Sequence, residues 1–518
     1  MGLTDIIVFI SYGLLVILIG NFFARAKGNS VNTNDYFFAN KSLPWFVVGS
    51  SIIAANISAE QFIGMSGSGY ALGLAIATYE WIAALILIVV ARYFLPVFIE
   101  NKIFTMPQFL ALRYDNRIKT ILAVFWLLLF IFVNLSSILY LGSITLRAIF
   151  GIPLVYGIIG LAIFSLLYTT VNGLKAIAAT DLIQVFFLLG GGILTTWIAV
   201  SKVGGNNGLI HGFRTLYEQV PDKFHMILQT GNEGYKYLPG WRAIFGGIWI
   251  AGIYYFGANQ YIIQKAFGAK SLQEAQKGMA FAGFLKLILP FVVVIPGIAV
   301  FALHAEIAKP DEAYPWLLAN IIPAGLKGLI FAALIAAIVS SYSAIINSAS
   351  TIFTLDLYKP LVKINASEHR LVSVGRISTV VMSLIAVLVA CSLGNLQQAF
   401  QFIQEYTGMV SPGITAIFIL GLYWKKTTSA GALWGTIFSI PISLAIKLLF
   451  PEMPFLDQML VVFFIIVALI VVLSVIGKQD YPSKGLILRK EMFYTGRVFN
   501  VMSVLIVLIL TAIYFIFW

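Results

Sequence analysis

Charge is what this chain has least of. Asp, Glu, Lys and Arg make up 10% of its 518 residues, against about 25% in soluble domains. That is too little polar surface to cover a water-soluble body of this length, so a string of soluble domains is excluded. Cys391 is the only cysteine, so no disulfide can form within the chain; its apolar neighbours make it a packing residue. His211, His225, His304 and His369 lack metal-ligand spacing. No nucleophile–base pair or metal cluster marks an enzyme, and no signalling domain marks a sensor. Despite the net charge of +12, no basic stretch interleaved with aromatics marks a nucleic-acid binder. The first apolar run, 6–23, lacks the basic start and small-residue cleavage site of a signal peptide and predicts a retained helix.

What is present in excess is apolar sequence, 60% of the chain. A helix needs about 20 mostly apolar residues to cross a bilayer. On that basis fourteen spans are predicted: 5–24, 45–70, 73–99, 118–147, 153–171, 179–201, 241–264, 277–303, 322–354, 372–393, 396–423, 428–450, 455–477 and 496–518. Most of the 33 basic residues fall in alternate connections, among them Lys27, Lys102, Lys175, Lys265, Lys359, Lys425, Lys478 and Lys484. The opposite side has few, and five of those lie in or beside one long loop, 202–242. Basic loops stay cytoplasmic, so both termini are expected outside. Lys286 belongs to neither set and falls deep within a span.

Several spans carry residues a lipid-facing helix would not. Polar groups at membrane depth are costly and ask for a function. The second span places Asn56, Ser58, Glu60, Gln61 and Gly64, Gly67 and Gly69 in its middle. The glycines superficially resemble a phosphate loop, but no Lys-Ser/Thr follows. The seventh span likewise mixes glycines and amides with apolar residues, over 251–261. Interrupted segments at matching places in two halves of a transporter point to its binding site. Glu80, Asp181, Lys286, Ser340, Ser341, Gln401, Gln404 and Glu405 are further polar residues within spans. Glu80 and Lys286 are expected to pair or line a wet cavity, because an unpaired charge costs at least about 2.5–3.5 kcal/mol there.

The runs Ala54–Tyr70, Tyr79–Trp81, Thr180–Phe187, Ala337–Ser341 and Gln401–Gly408 resemble the sodium/solute symporter family, over nearly the whole chain. The resemblance implies an all-α membrane protein with a leucine-transporter-type core of five plus five inverted helices, one extra helix before it and three after. The implied divisions are 1–44, an extra helix and cytoplasmic loop; 45–201, the first repeat; 202–240, a long external loop; 241–423, the second repeat; and 424–518, three added helices.

By the same resemblance, Ala54, Ile57, Ala337, Ser340 and Ser341 would ligate sodium, with Asp181 behind them. Sodium is a hard cation that prefers oxygen, and unwound backbone supplies it. Gln61, Glu80, Lys286 and Gln404 would hydrogen-bond a sugar, Tyr255 would stack on it, and Met65, Tyr79 and Phe400 would form the outer gate. Ala83 and Gly252 stand where the family's galactose-binding members have Ser and Asn, and Phe256 replaces a Trp. The implied function is sodium-driven uptake of a galactose- or glucose-like sugar across the plasma (bacterial inner) membrane. An inositol, sialic acid or similar solute is the alternative. The expected partners are the sugar, sodium and lipid; no cofactor and no nucleic acid is expected. An amino acid fits poorly, because Glu80 would repel its carboxylate.

Overall fold

The computed structural model describes residues 2–25, 41–103, 105–169, 174–396, 398–477 and 486–518. Lys27, Lys478 and Lys484, assigned above to cytoplasmic loops, lie outside them. The described residues are helices joined by short connections, with one isolated bridge between Leu43 and Ala269 as their only strand-like pairing. Among the described residues, ten helices are long and apolar enough to cross a membrane. Four shorter apolar helices accompany them: Leu3–Leu15, Trp45–Asn56, Leu154–Leu167 and Gly247–Ala258. Two of these short ones arise where the second and seventh sequence spans are broken.

The first break has a local cause. The Trp45–Asn56 helix leaves helical geometry at Ile57 (φ −75°, ψ 109°). Ser58 then starts a new helix. Its Oγ accepts from the Glu60 N–H at 3.1 Å, and its own N–H donates to Gln61 Oε1 at 3.2 Å. This is a variant of the reciprocal Ser-x-x-Gln cap of a helix start, with Glu60 in place of Gln61 as the backbone donor, placed in the middle of an apolar span. With the Ser58 N–H drawn to Gln61, the Ala54 carbonyl loses its usual helical partner. The chain continues through a wide π-type turn, Glu60–Met65, into the helix Ser66–Leu72. Gly73 (φ +76°) turns it toward Thr78–Val89. The second break lies at Asn259 (φ −91°, ψ 121°), between the turn Tyr254–Ala258 and the helix Gln260–Phe267.

The long helix Leu272–Ala302 packs against Trp45–Asn56, Ser66–Leu72 and Thr78–Val89, and so holds both halves of the first broken helix. The glycines of the second span serve this packing. A Cβ on Gly69 would lie 2.6 Å from the Val294 carbonyl oxygen, and one on Gly67 would lie 2.7 Å from Asp311 Oδ1. Close approach, rather than phosphate binding, accounts for them. Gly297 is tighter still: an added Cβ would sit 2.0 Å from the Ser66 carbonyl oxygen. Backbone cannot yield as a flexible side chain can. Gly297→Ala is therefore expected to cost about 1–3 kcal/mol of stability, read as a lower melting temperature of the detergent-purified protein.

Candidate functional site

The two breaks meet. Asn56, the last residue of the first half-helix, donates through Nδ2 to the Tyr255 hydroxyl at 3.1 Å. Tyr261, just past the second break, donates its hydroxyl to the same oxygen at 2.8 Å. Asn56 Oδ1 and Glu80 Oε2 both accept from the ammonium of Lys286. A continuous polar chain thus runs Tyr261–Tyr255–Asn56–Lys286–Glu80. Lys286 is 1% exposed and sits 5.6 Å from the centre of the Phe256 ring. Pairing was expected for Glu80 and Lys286 from the cost of burying either charge alone, and they form an ion pair.

This chain borders a cavity lined by residues of both broken helices. Gln61, Tyr79, Glu80, Tyr255, Lys286 and Gln404 all line it. Asn56 and Glu60 line it too. Both are polar residues in the middle of the second span, and neither carries a binding role in the family resemblance above. The rest of the lining includes the apolar residues Ala83, Ile86, Ile248, Ala251 and Gly252. Gly252 has a steric cause: a Cβ there would lie 2.2 Å from Ile86 Cδ1. Ile86 fills the room that a larger residue at 252 would need.

Above the cavity, the Tyr79 and Phe400 rings meet edge to face at 5.4 Å. Met65 and Phe400 are fully buried and Tyr79 nearly so, so these three expected gate residues are shut off from solvent. Glu405 takes no part in the cavity. It pairs at 2.5 Å with Lys447, on the neighbouring helix Ser429–Leu449.

Below the cavity, Trp45–Asn56 packs against Leu326–Thr351 and against Leu174–Val203. Asp181 sits among them. Its Oδ2 accepts from Ser51 Oγ at 2.6 Å, and its Oδ1 from Ser340 Oγ at 3.3 Å. Ser340 and Ser341 both face the interior, 6% and 2% exposed. The Ser341 hydroxyl has no hydrogen-bond partner. Ala54, Ile57 and Ala337 are buried as well. Lys265 departs from expectation. It is not a loop anchor but a buried side chain, with its ammonium 3.1 Å from Asp181 Oδ2. The half-helix Gln260–Phe267, packed against Trp45–Asn56, carries it there.

One loop ties the gate region together. Asp311, in the turn Pro310–Glu312, accepts from the Ala399 N–H at 2.7 Å and so caps the helix that begins beside Phe400. Its other oxygen is buried without a partner, against Gly67. The adjacent Lys309 ammonium donates to the Gly394 carbonyl. Burial pushes the Asp311 carboxyl up to about 8; the Ala399 N–H and Lys309 oppose this, and Glu312 adds to it. The folded protein therefore holds a proton that the unfolded chain releases above about pH 4. Stability contributed by this residue falls as pH rises from about 4 to 8. Asp311→Asn keeps an acceptor for Ala399 and is expected to flatten that slope, measured as melting temperature against pH.

A model of the sodium:solute symporter family matches residues 36–439. The chain belongs to that family. It is a sodium-coupled symporter, a secondary active transporter and not an enzyme, and sodium is its co-transported ion. Among similar proteins of this family, a sodium/glucose cotransporter of Vibrio parahaemolyticus is 51% identical, with 99% of this chain and 98% of the relative aligned. Sodium/glucose cotransporter 2 of Rattus norvegicus is 31% identical over 85% of this chain and 71% of its own length. Human sodium/myo-inositol cotransporter 2 is 33% identical over 84% and 68%. The fold matches an outward-open, substrate-bound sodium-coupled sialic acid symporter (TM-score 0.78, 23% identity, 92% of this chain and 98% of that one). The fold is of the leucine-transporter type, as the resemblance to the family implied.

Proposed function

We propose that this symporter carries a neutral, glucose- or galactose-like sugar into the cell with sodium. The observation that carries this reading is the convergence of Gln61, Glu80, Lys286, Gln404 and Tyr255 on one cavity. Amides and a charge pair offer donors and acceptors to hydroxyls, and tyrosine covers a ring face. The glucose cotransporter at 51% identity supports the same substrate class. A cyclic polyol such as an inositol is the second reading. The apolar wall of Ala83, Ile86 and Gly252 favours it, because that wall removes hydrogen-bonding groups that would define a particular sugar.

In this reading sodium binds to the freed carbonyls of Ala54 and Ile57, the carbonyl of Ala337, and the hydroxyls of Ser340 and Ser341. Asp181 offsets its charge from behind. The Ser341 hydroxyl, buried and unpartnered, is the kind of oxygen a sodium ion satisfies. Sodium entry from outside favours the outward-open form. Sugar enters, and Met65, Tyr79 and Phe400 close over it. The inner side then opens, sodium leaves, and the broken helix loosens its hold on the sugar. The repeats are 45–201 and 241–423, the spans number fourteen, and both termini face outward from a bacterial inner membrane.

A panel of labelled sugars and polyols, taken up in sodium and in potassium, tests this. Uptake of a hexose in sodium only is the expected result. Uptake that ignores sodium overturns the reading, and preference for an inositol selects the second one. Gln404→Ala is expected to raise the half-saturating sugar concentration about tenfold, the loss of roughly one neutral hydrogen bond. It should leave the half-saturating sodium concentration nearly unchanged.

A further inference from the structure

Lys265 is a cation built into the wall of the proposed sodium seat. Its side chain and that of Asp181 are 5% and 2% exposed, and their ion pair is 3.1 Å long. The acceptor oxygen is the one that also binds Ser51, one turn before Ala54. The other Asp181 oxygen binds Ser340, next to Ser341. The lysine therefore neutralises the very carboxylate that would offset sodium. It arrives on a different helix, just beyond the second break. A surface lysine anchoring a loop would not be drawn into this layer.

We propose that Lys265 is a tethered counter-cation that keeps the sodium-free seat neutral and assigns the voltage-sensitive step to the loaded carrier. This rests on the sodium seat proposed above. The charges follow directly. With Lys265 paired to Asp181, the empty seat sums to zero and the loaded seat to +1. Membrane voltage then acts on the inward movement of the loaded form, and the empty carrier returns without moving charge. Without Lys265, the empty seat carries −1 and the loaded seat zero. Voltage then acts on the return. One charge crosses per cycle in either case, so the attainable accumulation is unchanged and only its kinetic control moves. Lys265 also repels sodium, since like charges in a poorly screened interior oppose each other. It thus lowers sodium affinity and aids release inward.

The test uses the full-length protein, with two readouts. Sodium binding is titrated without sugar by thermal shift. Lys265→Met is expected to tighten it at least about tenfold, and Lys265→Arg to resemble wild type. Equilibrium exchange of labelled sugar, with equal sodium and sugar on both sides of proteoliposomes, is then measured with and without a potassium diffusion potential. Only loaded steps operate in this mode. Wild-type exchange is expected to respond to voltage, and that of Lys265→Met is not. Asp181→Asn/Lys265→Met leaves no buried charge unpaired and restores the +1 loaded state, so its exchange should respond again. Should the single variant fail to fold, the wild-type and double-variant responses still decide. Voltage-insensitive exchange in wild type, or weaker sodium binding in Lys265→Met, overturns the proposal. Absence of any sodium-induced shift in wild type would instead strike the seat itself.

Discussion

Lys286→Met is expected to abolish uptake and to lower stability by about 3–5 kcal/mol, the cost of stranding one member of a buried ion pair. The lysine gives its protons to Glu80 and to Asn56 Oδ1 at once. Its loss leaves a carboxylate and an amide oxygen without a donor in a wall that excludes lipid and most water. The effect should spread, because Asn56 holds Tyr255 and Tyr255 receives Tyr261. That chain joins the two helix breaks. Glu80→Gln/Lys286→Met removes the stranded charge and should regain much of the melting temperature. It should not regain transport, because the cavity has still lost its cation. Melting curves in detergent and uptake in proteoliposomes separate the two effects. Uptake near wild type in the single variant would show that the pair is structural only.

The second large effect is expected at Ser341→Ala, and its sign pattern is diagnostic. The Ser341 hydroxyl is buried with no hydrogen-bond partner. Removing it forfeits no protein contact, so the sodium-free fold should be unchanged or slightly more stable. If it ligates sodium, the half-saturating sodium concentration should rise about tenfold, roughly 1.4 kcal/mol. A hydroxyl that serves packing alone would give the reverse, a change in stability and none in sodium dependence. The comparison is made by thermal shift with and without sodium, alongside sodium-dependent uptake.

Much of this architecture can be read in the sequence because membrane depth makes polar residues conspicuous. Asn56, Glu60, Gln61 and Glu80 stand out against apolar neighbours, and so do the glycines that let helices approach. The pattern Ser58-Ala-Glu-Gln61 even spells a helix start at the point where the structure begins one. Other features cannot be seen along the chain. Lys265 follows the last apolar residues of a span and looks like a loop anchor; only the packing of Gln260–Phe267 against Trp45–Asn56 shows it reaching Asp181. Asp311 lies in an ordinary loop, and its importance comes from meeting Gly67 and Ala399, residues far away in sequence. Glu405 and Lys447 fall in separate spans and pair because antiparallel helices bring one end of each together. Ile86 explains Gly252 only through a contact across the cavity.

The energy available bears on the central claim. One positive charge moving inward gains about 2.3 kcal/mol per 100 mV, and a tenfold sodium gradient adds roughly 1.4 kcal/mol. Together these support accumulation of roughly 500-fold per sodium. The direct measurement is labelled glucose in proteoliposomes given an inward sodium gradient and an interior-negative potential. Internal sugar is expected to rise well above the external concentration, and to fall back when a sodium ionophore dissipates the gradient. Sugar that merely equalises across the bilayer, or that accumulates equally well in potassium, would contradict the account.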